Sequence, residues 1–96
     1  MGLFFGNCQT GYGLETDITS LIYDIPGGGI LIHIFTNVNW TISINVNWLT
    51  ASKLAGSGND SVTFTAEFND YGSQREGAVT ITGGGMEIVI PVYQAG

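Results

Sequence analysis

Apolar and polar residues alternate at period two through most of the chain beyond residue 17. Trp40, Ile42 and Ile44 alternate with Thr41, Ser43 and Asn45, and Val62, Phe64, Ala66 and Phe68 with Thr63, Thr65 and Glu67. Val79 and Ile81 alternate with Thr80 and Thr82. In an extended strand successive side chains point to opposite faces, so each run has one apolar face and one threonine-rich face. The pattern predicts strands near residues 18–25, 30–36, 40–46, 61–68, 77–82 and 86–93. Residues 48–55 read equally well as a short strand or a turn of helix, and no long stretch carries a helical period. The breaks fall at Pro26 to Gly29, Asn37 to Asn39, Gly56 to Asp60, Asn69 to Gly72 and Gly83 to Gly85. Short strands at this spacing, separated by turn residues, predict an all-β sandwich.

Two runs depart from simple alternation. Ile30, Ile32 and Ile34 share one face of 30–36, but the other face carries Leu31, His33 and Phe35. In 86–93, Ile88, Ile90 and Val92 are opposed by Val89, Pro91 and Tyr93. A strand apolar on both sides is covered on both sides, and a two-sheet sandwich has one interior. The second faces are therefore expected to be contact surfaces.

Residues 1–16 read as an extended arm and 17–96 as the sandwich. The arm sets Leu3, Phe4, Phe5 and Tyr12 among glycines. It is read either as a tail packed on its own domain or as a hook that adds to the edge of a neighbour.

Composition narrows the function. Only 10% of residues are charged, and the net charge is −6 with a single Lys (Lys53) and a single Arg (Arg75). Two isolated cations cannot displace phosphate counterions, which argues against nucleic acid and against an anionic membrane as partners. One cysteine, Cys8, forms no intrachain disulfide. The amino-terminal residues lack a basic stretch ahead of an apolar one, so a secretory signal is not expected. The chain is then expected to act in the cell that makes it, to leave by lysis, or to have lost a signal.

No residues converge on catalysis. His33, the only histidine, lies mid-strand with no nucleophile or acid in the pattern, and a satisfied or interfacial role is expected. One His and one Cys do not make a zinc site. Gly56 to Ser61 lacks the acidic density of a calcium loop. Neither Gly-Gly-Gly run precedes a helix, so both read as turns needing positive φ rather than phosphate loops. The Asn39-Trp40-Thr41 and Asn59-Asp60-Ser61 acceptor patterns are taken as chance. No enzyme, cofactor or metal is expected.

Asn37 to Trp40, Trp48-Leu49, Gly56-Ser57-Gly58, Asn69, Arg75-x-Gly77-x-Val79-x-Ile81 and Val92-x-Gln94 follow one another in this order. The ordered set resembles the BACON domain, an immunoglobulin-like β-sandwich module of gut Bacteroidetes and their phages. The resemblance covers about residues 18–95 and implies an immunoglobulin-like fold. The family name implies carbohydrate binding, and a spacer role is an equally fair implication. Arg75 is expected to cap the loop from Asn69, or to pair with Glu76 or Asp70. Asn69 is expected to shape its own turn. Trp40 is expected in the core. Trp48 is read as core or as a sugar-stacking ring.

Low charge, the aromatic arm and the missing export signal suit a non-enzymatic structural subunit, and the resemblance to a module of phages implies an auxiliary or decoration protein of a phage capsid, located in the virion. Its partners would be other protein subunits, met through Leu3, Phe4, Phe5, Tyr12, Leu31, Phe35, Val89 and Tyr93. The alternative is a carbohydrate-binding or spacer domain, with Trp48, Tyr71 and Arg75 as glycan contacts.

Overall fold

A computed structural model describes residues 13–96, and within them the chain is all-β. Nine strands run in chain order: β1 (Leu14–Thr16), β2 (Leu21–Tyr23), β3 (Gly28–Thr36), β4 (Asn39–Ile44), β5 (Leu49–Ala51), β6 (Ala55–Ser57), β7 (Asp60–Ala66), β8 (Arg75–Gly83) and β9 (Met86–Gln94). One sheet has the order β1-β3-β7-β5 and the other β2-β9-β8-β4-β6. All pairings are antiparallel except β2 with β9. This is an immunoglobulin-like β-sandwich.

The period-two runs build the core. Ile32 and Ile34 of β3, Trp40 and Ile42 of β4, Val62, Phe64 and Ala66 of β7, Val79 and Ile81 of β8, and Ile90 and Val92 of β9 are all buried between the sheets. Leu21 and Tyr23 close the core at the β2 edge. The Tyr23 hydroxyl donates to the Phe64 carbonyl on the facing sheet, and burial pushes its pKa up to about 12.

The sequence misses two strands and leaves a third open. β1 falls at 14–16, inside the stretch assigned to the arm, and pairs with β3 through Leu14↔Thr36 and Thr16↔Ile34. β5 resolves the ambiguous 48–55 segment in favour of strand. β6 occupies Ala55–Ser57, where a turn was expected; the turn proper is confined to Gly58 and Asn59. Each is three residues long, too short to show alternation. Phe68 corrects the expectation in the other direction. β7 ends at Ala66, so period two no longer governs Phe68, which is 62% exposed.

The loops gather at two poles. At the N-pole, Gly13 donates to Asn37 Oδ1, Thr36 N to Asn59 Oδ1, and Gly58 N to the Val38 carbonyl. The two-residue turn Gly84–Gly85 lies beside Val38 and takes positive φ at both residues, 59° and 79°, a conformation open to glycine. At the C-pole lie residues 24–27, 45–48, 67–74 and 95–96. They are joined by bonds from Asn69 N to the Ile25 carbonyl, Glu67 N to the Trp48 carbonyl and Asn69 Nδ2 to the Ala95 carbonyl.

Candidate interaction surfaces

The second face of β3 is open to solvent within the described domain. Leu31 and Phe35 are roughly half exposed and flank His33 on the outer face of the first sheet, next to Thr63 and Ser61 of β7. His33 is held from below. Asp17 accepts from His33 N through Oδ1 and meets His33 Nδ1 through Oδ2, both at 2.8 Å. These bonds hold the Asp17 carboxyl below its ordinary pKa. The imidazole lies nearly parallel to Phe35, 17° between planes with centroids 6.4 Å apart. With its backbone N–H and Nδ1 both bonded to the Asp17 carboxylate, His33 is a satisfied surface histidine.

Val89 and Tyr93 occupy the outer face of the other sheet. The four residues expected to share a contact are therefore split between opposite sides of the sandwich: Leu31 and Phe35 on one, Val89 and Tyr93 on the other. Sequence reasoning missed Ile22, 69% exposed and registered beside Tyr93. Its position between the inward Leu21 and Tyr23 was the available signal. Ile22, Tyr93 and Val89, with half-buried Pro91, form the second apolar strip. Leu3, Phe4, Phe5 and Tyr12 lie outside the described residues.

The alternative glycan contacts Trp48, Tyr71 and Arg75 do come together, at the C-pole, but in a form that alters their use. Trp48 is buried, and the Arg75 guanidinium carbon sits 4.4 Å from its ring centroid. The same guanidinium lies 5.0 Å from the Tyr71 centroid, so the cation is in contact distance of both rings. Arg75 Nε donates to Gln94 Oε1 at 2.8 Å, and its Nη2 donates to the carbonyls of Glu67 and Phe68. Its partners are thus carbonyl oxygens and rings, not Glu76 or Asp70. Trp48 has no free face for a sugar ring, whereas Tyr71 and Phe68 remain exposed.

Behind this cluster is a polar knot that sequence reasoning did not foresee. Gln94 is fully buried. Its Nε2 donates to Glu67 O at 2.7 Å and reaches Asp24 O and Ile25 O at 3.2 and 3.3 Å. Asn69, also buried, donates from Nδ2 to Ser73 O and Ala95 O and accepts from Tyr71 N. That last bond is the turn-shaping contact expected of it.

A lateral cleft of about 480 Å³ opens between the sheet edges, lined by Ile42, Ile44, Leu49, Ala51 and Leu54 with Ser43 and Thr50. No titratable group lines it, and it offers no acid–base chemistry. Among the described residues no three His, Cys, Asp or Glu side chains gather as a metal site.

This geometry is similar to known modules. Over 88% of the chain it superimposes on a Bacteroides ovatus GH5 xyloglucanase, seen in complex with a XXXG heptasaccharide, with a TM-score of 0.81 and 29% identity; the match takes in 19% of that protein. A xyloglucan-specific endo-β-1,4-glucanase of Bacteroides ovatus is 32% identical over 90 residues, 91% of this chain but 18% of the enzyme. The chain thus spans about a fifth of these relatives. The periplasmic chaperone SfaE shares the fold alone, with a TM-score of 0.69 and 11% identity over 86% of this chain and 57% of that one. The family described as "Viral BACON domain" matches residues 32–96, from the middle of β3 through the Arg75–Gln94 knot. With most of the sandwich inside that match, the chain belongs to the viral BACON domain family, as a small all-β domain.

Proposed function

We propose that this domain is an auxiliary structural protein of a virus particle, seated between capsid subunits. The observation that carries the reading is the pair of exposed apolar strips on opposite outer faces. Leu31 and Phe35 form one, and Ile22, Val89 and Tyr93 the other. A module that leaves both sheets partly apolar has two sides to cover, and large exposed apolar side chains supply binding energy when they are covered. The viral family membership supports the setting. The test is co-sedimentation of the purified chain with capsids that lack it. The Leu31→Ser/Phe35→Ser and Ile22→Ser/Tyr93→Ser variants are each expected to weaken capture about tenfold or more, since each removes two large apolar contacts. Capture of both variants at the level of the unaltered chain overturns the reading.

A second reading rests on Phe68 and Tyr71, two exposed aromatics of the same C-pole loop, and on the relative named for xyloglucan. Here the domain binds a glycan through stacking on those rings. Retardation in a xyloglucan-containing gel that disappears with Tyr71→Ala supports it. Unretarded migration across xyloglucan and related plant glucans removes it.

A further inference from the structure

We infer that the fold is a tensile clamp, in which a pull between its two poles loads the β2–β9 pair in shear. The described chain starts at Gly13 on the N-pole, where its amide is bonded to Asn37. It ends at Gly96 on the C-pole, packed against Ser73. Between these points, β9 leaves the Gly84–Gly85 turn at the N-pole and finishes at Gln94 beside Asp24 at the C-pole. β2 runs the same way, with Leu21↔Val92, Ile22↔Tyr93 and Tyr23↔Gln94 in parallel register. A pull on the amino-terminal side draws β2 back toward the N-pole, and a pull at the carboxyl end draws β9 forward. The two strands must then slide past each other.

Hydrogen bonds of a sheet run across the strands, so sliding strains the bonds of the pair together, whereas peeling breaks them one after another. Other contacts stiffen the pair against sliding. Ala95 N donates to Tyr23 O at 3.0 Å, one step past the last paired residue. Leu21 and Tyr23 are buried in the core, so β2 cannot slide without dragging both side chains through packed neighbours. The Tyr23 hydroxyl is bonded to Phe64 on the opposite sheet. The flanking pairs meet the same load in the same way: β1 is drawn along its own axis against β3, and β9 is paired with β8 along its whole length. The inference needs only attachment at both poles and is independent of which partner covers the outer faces. In the xyloglucanase relative the matched stretch is 19% of the protein, so there the module is joined to further chain.

Single-molecule pulling tests it in two geometries on the full chain carrying Cys8→Ser. One attaches handles to the amino and carboxyl termini. The other places them at Gln74→Cys and the carboxyl terminus, which both lie at the C-pole and peel β8 from β9. Three paired residues share the load in the first and one pair yields at a time in the second, so the end-to-end unfolding force is expected to be about two- to threefold higher. Ala95→Pro, which removes the bond to Tyr23 O, is expected to lower the end-to-end force. Equal forces in the two geometries overturn the clamp. An end-to-end force that is higher but unmoved by Ala95→Pro and by Tyr23→Phe overturns its assignment to β2.

Discussion

The two poles of the sandwich close in different ways. The N-pole turns are short, and their own backbones and a few Asn side chains satisfy them: Asn37 takes Gly13 N, Asn59 takes Thr36 N, and Gly84–Gly85 turns the β8–β9 hairpin in two residues. The C-pole must bridge 67–74, eight residues without strand pairing, and its carbonyls find no ladder. Gln94, Asn69 and Arg75 supply the donors instead, each reaching two or more carbonyl oxygens. A buried carbonyl without a donor is costly. The C-pole is therefore held by three side chains that each serve several carbonyls, while the N-pole is held by single Asn and backbone bonds together with steric room for glycine and close packing.

Replacing Gln94 with Leu breaks this contrast most directly. It removes the Nε2 bonds to the carbonyls of Glu67, Asp24 and Ile25, each of which keeps one other donor, and leaves Arg75 Nε without its acceptor, and a loss of about 3 kcal/mol is expected in urea unfolding. Asn69→Ala frees Ser73 O and Ala95 O, and about 2–3 kcal/mol is expected by the same measurement. At the other pole the vulnerable group is space. A Cβ on Gly56 would meet the Trp40 indole at 2.3 Å, so Gly56→Ala is expected to cost about 1–3 kcal/mol by overpacking, with the Trp40 Nε1 bond to Gly58 O disturbed. If Gly56→Ala proves more damaging than Gln94→Leu, the division between a bonded pole and a packed pole fails. Tyr71→Ala removes one of the two rings that contact Arg75 and is expected to cost about 0.5–1 kcal/mol, with a change in Trp48 fluorescence as the local readout.

The smallest effect is set by pH. Asp17 is held below its ordinary pKa by its two bonds to His33, and Asp60 by Lys53 and Ser61 N. A carboxyl with a depressed folded pKa stabilises the fold above its unfolded pKa, and that contribution disappears as pH falls through the folded one. Thermal melting is therefore expected to fall with pH below about 4, and less steeply in Asp17→Asn. An identical slope in the variant would show that the Asp17 bonds are made equally in the unfolded chain.

The sequence expresses the core well and the poles badly, for a physical reason. Burial between two sheets imposes period two, so Trp40, Ile42, Val62, Phe64, Val79, Ile81, Ile90 and Val92 are legible from spacing alone. Phe68 continues the same rhythm but stands past the end of β7, where the rhythm has no strand to act on. Gln94 was legible in direction only. It follows Ile90 and Val92 on their inward face, but nothing local says that Glu67 and Asp24, 27 and 70 residues away, will need its donors. Likewise Arg75 and Trp48 meet only because β8 and the loop before β5 arrive at one pole. Trp48 fits either a core or a glycan role by pattern, and the cation over its ring is what decides its surroundings. The exposed faces of β3 and β9 were legible as spare apolar surface, yet their placement on opposite sides required the strand order.

Both basic side chains of this chain are spent internally. Lys53 is bonded to Asp60, and Arg75 is folded against Trp48 and Gln94. What the described domain shows to its surroundings is accordingly a field of one sign, from Glu15, Asp24, Glu67, Asp70, Glu76 and Glu87. Two copies approaching through their apolar strips would repel before they touched. Added salt shortens that repulsion to about 10 Å at 0.1 M, so crowding such domains side by side should become easier as ionic strength rises, the reverse of docking driven by opposite charges.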